Sequence, residues 1–464
     1  MTIAAWPIEP ADVARHGAPL YRAIVAAMAE ALAAGRLGEG QRLPTVRALA
    51  ERLGVTIGTV NRAYQLAERR GLVRAEVGRG TFVRGPVPAR RLLLEPGLPP
   101  NLIDLAVNAP VAVAAAELGE VLAALGRDPA SAGLLTRYPP PAGLATHREA
   151  IAQWLGERLG PVPAARVVLG TGVHSLLQAS LASLCRAGDP VLIEALTYPG
   201  ARDIVLGRQL RPVPVALDAQ GMLPDALDRA AAASAARVVF LVPTLQNPTT
   251  AVMDAERRAA IAAVAARRGL IVIEDDVYGR LLAPPAGPCL VELLPERTIH
   301  LVSPSKLLAP ALRVAAALVP EPLVTTLTGA LHDLLICASP LPFEAFVRLW
   351  RAGTLTGVAE TVRAEVERRD RLARTVLGLA PSAAPGLHLW LTRLEGWEPA
   401  ALVRALAQDG VRLPDPSIFA VEPRASGAGI RLGLGGPSAE ALDLALQRIA
   451  ARLAAGPQPL ARMI

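Results

Sequence analysis

IHLVSPSKLLAPALR, residues 299–313, contains the only lysine of the 464-residue chain, Lys306. The apolar run at 299–302 is typical of a buried strand, and Ser303, Ser305 and Lys306 follow where that strand should end. Every other basic residue outside histidine is arginine. A guanidinium stays protonated and cannot attack a carbonyl, whereas a lysine amine can form an imine. The single lysine therefore indicates a chemical role, with an incidental surface lysine as the alternative.

Apolar runs around this stretch alternate with alanine-rich helical patterns. They begin at positions 167, 191, 238, 270, 299 and 314. This alternation predicts an α/β domain over residues 102–320, with a largely parallel sheet and helices on both faces. The runs near 386 and 430 predict a smaller C-terminal α+β domain over residues 321–464. Open sheets of this kind bind ligands beyond the carboxyl ends of their strands.

Polar residues follow several of these predicted strands, in the place where a ligand would bind. Each has an ordinary alternative explanation as a helix cap, a turn or a core residue, but they occur on successive strands around the only lysine. The candidates are Gly172, Val173, His174, Tyr198, Asn247, Asp275, Tyr278, Ser303, Ser305 and Arg313. The set supplies an amine, a carboxylate, ring-oxygen donors and a phosphate cradle at a helix start.

Pyridoxal phosphate requires these groups together. Lys306 would form the imine with its aldehyde, and Asp275 would pair with the pyridine nitrogen and keep it protonated. Asn247 and Tyr278 would hydrogen-bond the ring oxygen, and Tyr198 would stack on the ring. The phosphate would be held by hydroxyls, an arginine and a helix start, namely Ser303, Ser305, Arg313, Gly172, Val173 and His174. The sequence predicts no metal site.

Residues 102 to about 436 resemble the fold type I, aspartate aminotransferase-like proteins. The resemblance is carried by YPPPAG from Tyr138, PTLQNPT, EDDVYG, SPSK, LAPALR and IRLGLG. It implies a homodimer in which Tyr138 reaches the phosphate of the partner subunit, and it implies that Arg431 binds an amino acid carboxylate. Thr250 stands where glycine is usual, and Val173 with His174 replace a small residue and glutamine. These departures weigh against efficient turnover.

The N-terminal part of the chain predicts a winged helix-turn-helix over residues 1–84, with its core at 19–84. Thr45 and Thr56 can cap two helices separated by Gly54, and VRAEVGRGTFVR at 73–84 has the pattern of a hairpin. The second of these helices would enter the DNA major groove. The candidate DNA contacts are Arg42, Arg47, Thr56, Thr59, Asn61 and Arg79. A solvated three-helix domain without a DNA role is the alternative.

The positive charge of the chain is concentrated at its N-terminus. Residues 1–91 contain 14 arginines and 7 acidic residues, a balance of +7 that equals the net charge of the whole chain. A basic head on a neutral body favours contact with a polyanion. LPTVRALAERLGV and TVNRAY make residues 19–84 resemble the GntR family of bacterial regulators. The resemblance implies DNA contacts at Arg47, Thr56, Thr59 and the wing residue Gly78, although the family's frequent recognition-helix arginine is replaced by Ile57 and Asn61.

Residues 85–101, GPVPARRLLLEPGLPPN, are typical of a semi-rigid proline-rich linker. A winged helix joined in this way to an aminotransferase-like domain resembles the MocR subfamily. The resemblance implies a homodimeric transcriptional regulator that binds a double-stranded DNA operator and senses pyridoxal phosphate with an amino acid or amine. An active aminotransferase and a cofactor-free DNA-binding dimer remain as alternatives.

Two further features of the sequence concern its compartment. The N-terminus lacks the charge and apolar pattern of an export signal, and no uninterrupted apolar run suits a membrane span. Cys185, Cys289 and Cys337 are widely spaced, as expected for free thiols. We therefore expect a cytoplasmic protein without membrane contact.

Overall fold

The computed structural model describes residues 6, 8–17, 19–33, 36–38, 41–69, 72–76, 80–83, 101–422 and 429–457. The chain divides into two compact units, residues 1–93 and 94–464. The predicted linker lies outside the described residues except for Asn101, as do the hairpin-tip residues Gly78 and Arg79.

The first unit is a helical domain followed by a two-stranded hairpin. Its elements are α1 (Pro10–Ala14), α2 (Leu20–Ala33), α3 (Val46–Leu53), α4 (Ile57–Arg69), β1 (Val73–Glu76) and β2 (Gly80–Val83). Thr45 caps α3 by accepting a hydrogen bond from the Ala48 amide at 3.2 Å, and Gly54 ends α3 with a φ of 64°. Antiparallel pairing sets Val73 opposite Val83. These features confirm the predicted winged helix-turn-helix.

A seven-stranded sheet forms the centre of the second unit. Its order is β4-β12-β11-β10-β9-β5-β6. The strands are β4 (Val167–Thr171), β5 (Pro190–Glu194), β6 (Arg211–Val215), β9 (Val238–Leu241), β10 (Ile271–Asp275), β11 (Thr298–Val302) and β12 (Val314–Leu318). All neighbours pair in parallel except β12, which is antiparallel to both β11 and β4. The sheet is therefore mixed rather than uniformly parallel.

Helices cover both faces of this sheet, as the alternating pattern predicts. They are α5 (Ala115–Arg127), α6 (Pro129–Leu134), α7 (Ala145–Leu159), α8 (Val173–Leu184), α9 (Pro199–Gly207), α10 (Pro224–Ser234), α11 (Ala255–Arg268), α12 (Leu290–Leu293), α13 (Val324–Leu335) and α14 (Pro340–Arg351). A short hairpin adds β7 (Leu217–Asp218) and β8 (Gly221–Met222).

A separate apolar core lies among the C-terminal elements. These are β3 (Ile103–Asp104), α15 (Thr354–Val376), β13 (His388–Leu391), α16 (Pro399–Gln408), β14 (Val411–Arg412), β15 (Ile430–Gly433) and α17 (Ala439–Ala455). β13 and β15 form the antiparallel pair expected near 386 and 430. β3 pairs with β14, and Leu105 belongs to the C-terminal core. Residues 103–105 therefore pack with the C-terminal elements, whereas the sequence assigned them to the large domain.

Among the described residues, no single helix has the length and apolar character to cross a membrane, and one sharply bent pair, Glu321–Leu335 with Pro340–Arg351, has them only when taken together.

Candidate functional site

Lys306 lies directly beyond β11, in a short 3-10 turn that begins at Pro304. Its amine donates a hydrogen bond to the backbone carbonyl of Asn108, and Nζ is 5.7 Å from the centre of the Tyr278 ring. Burial, together with the positive charges of Arg431 and Arg313, lowers the pKa of Lys306 to about 8 against the opposing effect of the Asp275 carboxylate. A buried amine with this pKa is partly unprotonated near neutral pH and can act as a nucleophile.

Asp275 ends β10, with its carboxylate buried near that amine. Burial raises the pKa of Asp275 to about 7; the like charge of Asp276 adds to the shift, and Lys306 opposes it. Among the described residues, the carboxylate accepts one long hydrogen bond, from the Val277 amide at 3.3 Å. A buried carboxyl with so little support is suited to a cationic N–H donor from a ligand.

Tyr278 joins the site through a network of three buried side chains. Asn108 donates from Nδ2 to the Tyr278 hydroxyl at 2.9 Å, and Nδ2 lies 3.0 Å from Nδ1 of His388. His388 Nε2 lies 3.1 Å from the Gln246 carbonyl, so Nε2 carries the proton and Nδ1 accepts. Burial lowers the pKa of His388 to about 3, which keeps the ring neutral. Asn108 Oδ1 is buried and has no partner among the described residues.

Sequence reasoning missed Asn108 and His388. Asn108 follows no predicted strand, and only the folded chain brings it to Lys306. His388 offered a usable signal, because GLHLWL sets one titratable residue inside an apolar run.

Arg431, on β15, is buried beside Asn247. Its Nη1 donates to Asn247 Oδ1 at 2.9 Å, and Nη2 donates to the carbonyl of Ala106. The guanidinium carbon lies 4.8 Å above the Phe419 ring, and Nε is buried without a hydrogen-bond partner in the described part of the chain. Burial lowers the pKa of Arg431 to about 10. No described acidic side chain forms an ion pair with this guanidinium, so the site contains a buried cation that a carboxylate would neutralise.

The turn between β4 and α8 forms a cationic cradle. Gly172 caps α8 with a φ of 74°, and its amide donates to the Arg313 carbonyl at 2.7 Å. A Cβ at Gly172 would lie 1.8 Å from Arg313 Nη2. The arginine therefore occupies space that only glycine leaves free, next to the amides that open α8. Such a helix start with an adjacent guanidinium favours an anion.

The remaining predicted phosphate ligands are arranged around this cradle. The Ser303 hydroxyl donates to the Val314 carbonyl at 2.6 Å and lies 2.7 Å from the Ser305 hydroxyl. Val173 and His174 occupy the first turn of α8 and are half-buried.

The two other predicted aromatic residues differ in their solvent exposure. Tyr198 directly precedes α9 and is half-buried. Burial raises the pKa of Tyr198. The negative charge of Asp275 also raises this pKa, whereas the positive charges of Arg313 and Arg431 lower it. Tyr138 is 83% exposed in the single chain, so this chain does not bring it into its own site.

Glu274 and Asp276, the residues on either side of Asp275, belong to a cluster of buried charged side chains. Glu274 accepts from His300 Nδ1 at 2.9 Å, and Arg158 donates to Asp276 at 2.7 Å. The ligand atoms of Glu274, Cys289 and His300 lie within 4.8 Å of one another. Arg158 pairs with Asp276 and Arg258 with Glu274, so these carboxylates belong to an internal ion-pair network.

In the first unit, the start of α4 presents an exposed face. Thr56 accepts from the Thr59 amide at 3.2 Å, as predicted for a helix cap, and Thr59 is half-buried. Asn61 and the flanking Arg47 and Arg42 are exposed. Exposed residues on α4 that sequence reasoning omitted are Arg62 and Gln65. A recognition helix with exposed polar residues and nearby arginines is suited to base edges and phosphates.

The second unit fits pyridoxal phosphate on observations from the structure. A buried lysine, an underpaired buried carboxyl and a glycine-dependent cationic cradle lie at the carboxyl ends of strands of the central sheet. Arg431 on β15 adds a buried guanidinium whose Nε has no partner among the described residues. The fold and this site define the class as a fold type I aminotransferase domain joined to a winged helix-turn-helix.

Comparison with known proteins gives the same assignment. Residues 100–449 match the family described as aminotransferase class I and II, and residues 20–83 match the bacterial regulatory proteins of the gntR family. The chain belongs to the class I and II aminotransferase family and carries a gntR-type DNA-binding domain. The predicted fold class and the resemblance to MocR-type regulators are thereby confirmed.

Similar proteins include both regulators and an enzyme. YdeF of Bacillus subtilis, described as an uncharacterized HTH-type transcriptional regulator, is 29% identical, over 80% of this chain and 81% of its own length. The 2-aminoadipate transaminase of Thermus thermophilus is 32% identical, over 66% and 78%. The vitamin B6 salvage pathway transcriptional repressor PtsJ of Salmonella typhimurium is 31% identical, over 61% and 63%.

A solved structure supports the fold of the second unit. LysN, the α-aminoadipate aminotransferase of Thermus thermophilus in complex with N-(5′-phosphopyridoxyl)-L-leucine, superposes with a TM-score of 0.69 at 24% identity. The match covers 77% of this chain and 93% of LysN.

Proposed function

We propose that this protein is a dimeric, pyridoxal phosphate-binding transcriptional regulator that binds operator DNA and responds to an amino acid or amine. The observation that carries the proposal is the occurrence, in one chain, of a gntR-type DNA-binding domain and a buried Lys306 site with its carboxyl, cradle and arginine. Similarity to YdeF and PtsJ, both named as transcriptional regulators or repressors, supports the regulatory half of the proposal.

When bound, pyridoxal phosphate supplies an aldehyde that condenses with a primary amine and a pyridine ring that withdraws electrons. Lys306 would be the amine of the chain. Asp275 would hold a proton on the pyridine nitrogen, and Arg431 fixes the amide of Asn247 so that Nδ2 can donate to the ring oxygen. Tyr278 accepts from Asn108, which leaves its hydroxyl proton for the same oxygen.

The phosphate would be bound by the cradle at the start of α8. Gly172 provides the amide-rich turn, Arg313 provides the positive charge, and Ser303 and Ser305 provide hydroxyls. Val173 and His174 lie in the same first helical turn. In a homodimer, the exposed Tyr138 would complete this cradle from the partner subunit, and Tyr198 would cover the ring.

The effector would carry an amine that competes with Lys306 for the cofactor and, in an amino acid, a carboxylate that pairs with Arg431. The lack of an acidic partner for Arg431 among the described residues supports an anionic group at this position. A ligand can change DNA affinity only if it binds two protein conformations with different affinity. Exchange of a chain-borne amine for a free one, together with neutralisation of Arg431, provides such a difference.

The regulatory proposal is tested by operator affinity. A duplex selected from a random pool by the full-length protein is titrated with protein that is cofactor-free, loaded with pyridoxal phosphate, or loaded and exposed to amino acids and amines. The proposal expects at least one addition to change the dissociation constant severalfold, and it expects Lys306→Ala to lose the response while keeping basal DNA binding. An unchanged affinity under every condition would overturn it.

An active aminotransferase is the second candidate, favoured by similarity to the Thermus transaminase and by the near-neutral pKa of Lys306. The unprotonated fraction of this amine could move a proton during turnover. Multiple turnovers with an amino donor and a keto acid, lost in Lys306→Ala, would establish the enzyme. Absence of turnover in protein that binds the cofactor would favour the regulator.

A further inference from the structure

Residues 104–108 touch both cationic groups of the site, although they lie far from those groups in sequence. The carbonyl of Ala106 accepts from Arg431, and the carbonyl of Asn108 accepts from Lys306. The Asn108 side chain also donates to the Tyr278 hydroxyl. These are the groups that a cofactor and an effector would engage. The same residues follow, within a few positions, the stretch that joins the two units.

We infer that residues 104–108, the coupling segment, transmit occupancy of the site toward the DNA-binding domain. The inference rests on the proposed function and names how that site acts. A carboxylate on Arg431 adds the attraction of opposite charges and can accept two parallel hydrogen bonds from the guanidinium, which a single backbone carbonyl does not offer. The carboxylate therefore displaces the Ala106 carbonyl. Joining Lys306 to the cofactor would remove the donor to the Asn108 carbonyl, and an amine that exchanges with Lys306 would free that donor again. Buried carbonyls that lose their donors must find others, so the segment moves.

The other contacts of the coupling segment make it respond as a unit. Asp104 accepts from the Ala106 amide at 2.8 Å and from Arg412 at 3.1 Å. The Leu105 carbonyl accepts from the Gly433 amide at 2.8 Å. A Cβ at Gly433 would lie 2.5 Å from the Val107 carbonyl. The segment therefore packs directly on β15, the strand that bears Arg431, and movement of either displaces the other.

Hydrogen–deuterium exchange of the full-length protein tests the inference with defined probes. The states compared are protein with pyridoxal phosphate, with N-(5′-phosphopyridoxyl)-L-leucine, and with the matching adduct of 3-methylbutylamine, which lacks the carboxylate. We expect the leucine adduct to change exchange in peptides covering 103–109 at least threefold and the carboxylate-free adduct to change it less. A peptide covering 314–318 in the central sheet should not change.

A variant pair separates coupling from ligand binding. Asp104→Ala removes the anchor of the segment, and Asp228→Ala is the control, since Asp228 pairs with Arg268 at 2.7 Å between α10 and α11. The Asp104 and Asp228 side chains are 25% and 31% exposed. Asp104→Ala should keep the visible absorption of the loaded cofactor but reduce, at least threefold, the ratio of duplex affinities with and without the leucine adduct. Asp228→Ala should keep the wild-type ratio.

The outcomes distinguish this inference from the proposed function. If no probe binds or none alters duplex affinity in the wild-type protein, both fail. The leucine adduct could alter duplex affinity equally in the wild type and Asp104→Ala, or leave exchange at 103–109 identical to the pyridoxal phosphate state. Either result would overturn the inferred role of the coupling segment and leave the proposed regulatory function intact. The exchange measurement uses only wild-type protein and therefore holds even if Asp104→Ala does not fold.

Discussion

The low pKa of Lys306 predicts the pH dependence of cofactor capture. Burial and two arginines shift the pKa from 10.5 to about 8. Because the free base is the nucleophile, its fraction sets the capture rate. At pH 7.5 an amine of pKa 8 is roughly one-quarter unprotonated and one of pKa 10.5 about one-thousandth, a difference of about two hundredfold. The capture rate should therefore rise with pH and level off above about 8.

Stopped-flow absorbance of cofactor-free protein mixed with pyridoxal phosphate, from pH 6 to 11, measures this dependence. The ionisations of the cofactor itself are removed by dividing each rate by the rate constant of free-base Nα-acetyl-lysine at the same pH. Two variants test the cause. Arg431→Met removes a positive neighbour and should move the midpoint upward, whereas Asp275→Asn removes a negative neighbour and should move it downward.

A midpoint near 10, or movement of both variants in one direction, would refute this electrostatic description of the site. A midpoint near 8 with opposite movements would support it, because a general loss of structure cannot shift a pKa in two directions.

Four further predictions follow from particular residues. Lys306→Met should stabilise the cofactor-free protein at pH 7 by up to about 3 kcal/mol in urea unfolding, with the gain disappearing above pH 10.5, since the folded state disfavours the ammonium. Gly172→Ala should weaken cofactor binding at least tenfold by spectroscopic titration, whereas Gly160→Ala, with a similar φ of 73° and nothing within 4 Å, should not. The buried neutral imidazole of His388 should make the free energy of unfolding fall by about 1.4 kcal/mol per pH unit as the pH drops from 6.5 to about 3. His388→Gln should remove this contribution, and an unchanged pH dependence of stability in that range would contradict the buried neutral state. Arg47→Ala should weaken binding to all duplexes and reduce the salt slope by about 0.9, as for one lost phosphate contact; an unchanged slope would remove Arg47 from the interface.

The parts of the site that follow strand ends were predictable from the sequence. Asp275 and Lys306 come after apolar runs that form β10 and β11, and parallel strands bring their carboxyl ends to one edge. Thr45 and Gly54 likewise carried local signals, because capping depends on residues a few positions apart.

The parts that depend on distant pairing were not predictable. Asn108 meets His388 across 280 positions, and no local pattern encodes that contact. The antiparallel direction of β12 depends on the path of the chain after Arg313, which periodicity does not show. β6 was not identified because RPVPV contains two prolines, which are tolerated at the sheet edge that it occupies.

The covalent site at Lys306 is tested most directly by borohydride reduction of the freshly purified full-length protein, followed by peptide mass mapping. Because Lys306 is the only lysine of the chain, no other side chain can supply the amine that this reaction requires. We expect one phosphopyridoxyl group on the peptide that contains Lys306, together with loss of the visible absorption. Protein that is loaded with pyridoxal phosphate and reduced, yet carries no added mass on that peptide, would contradict it.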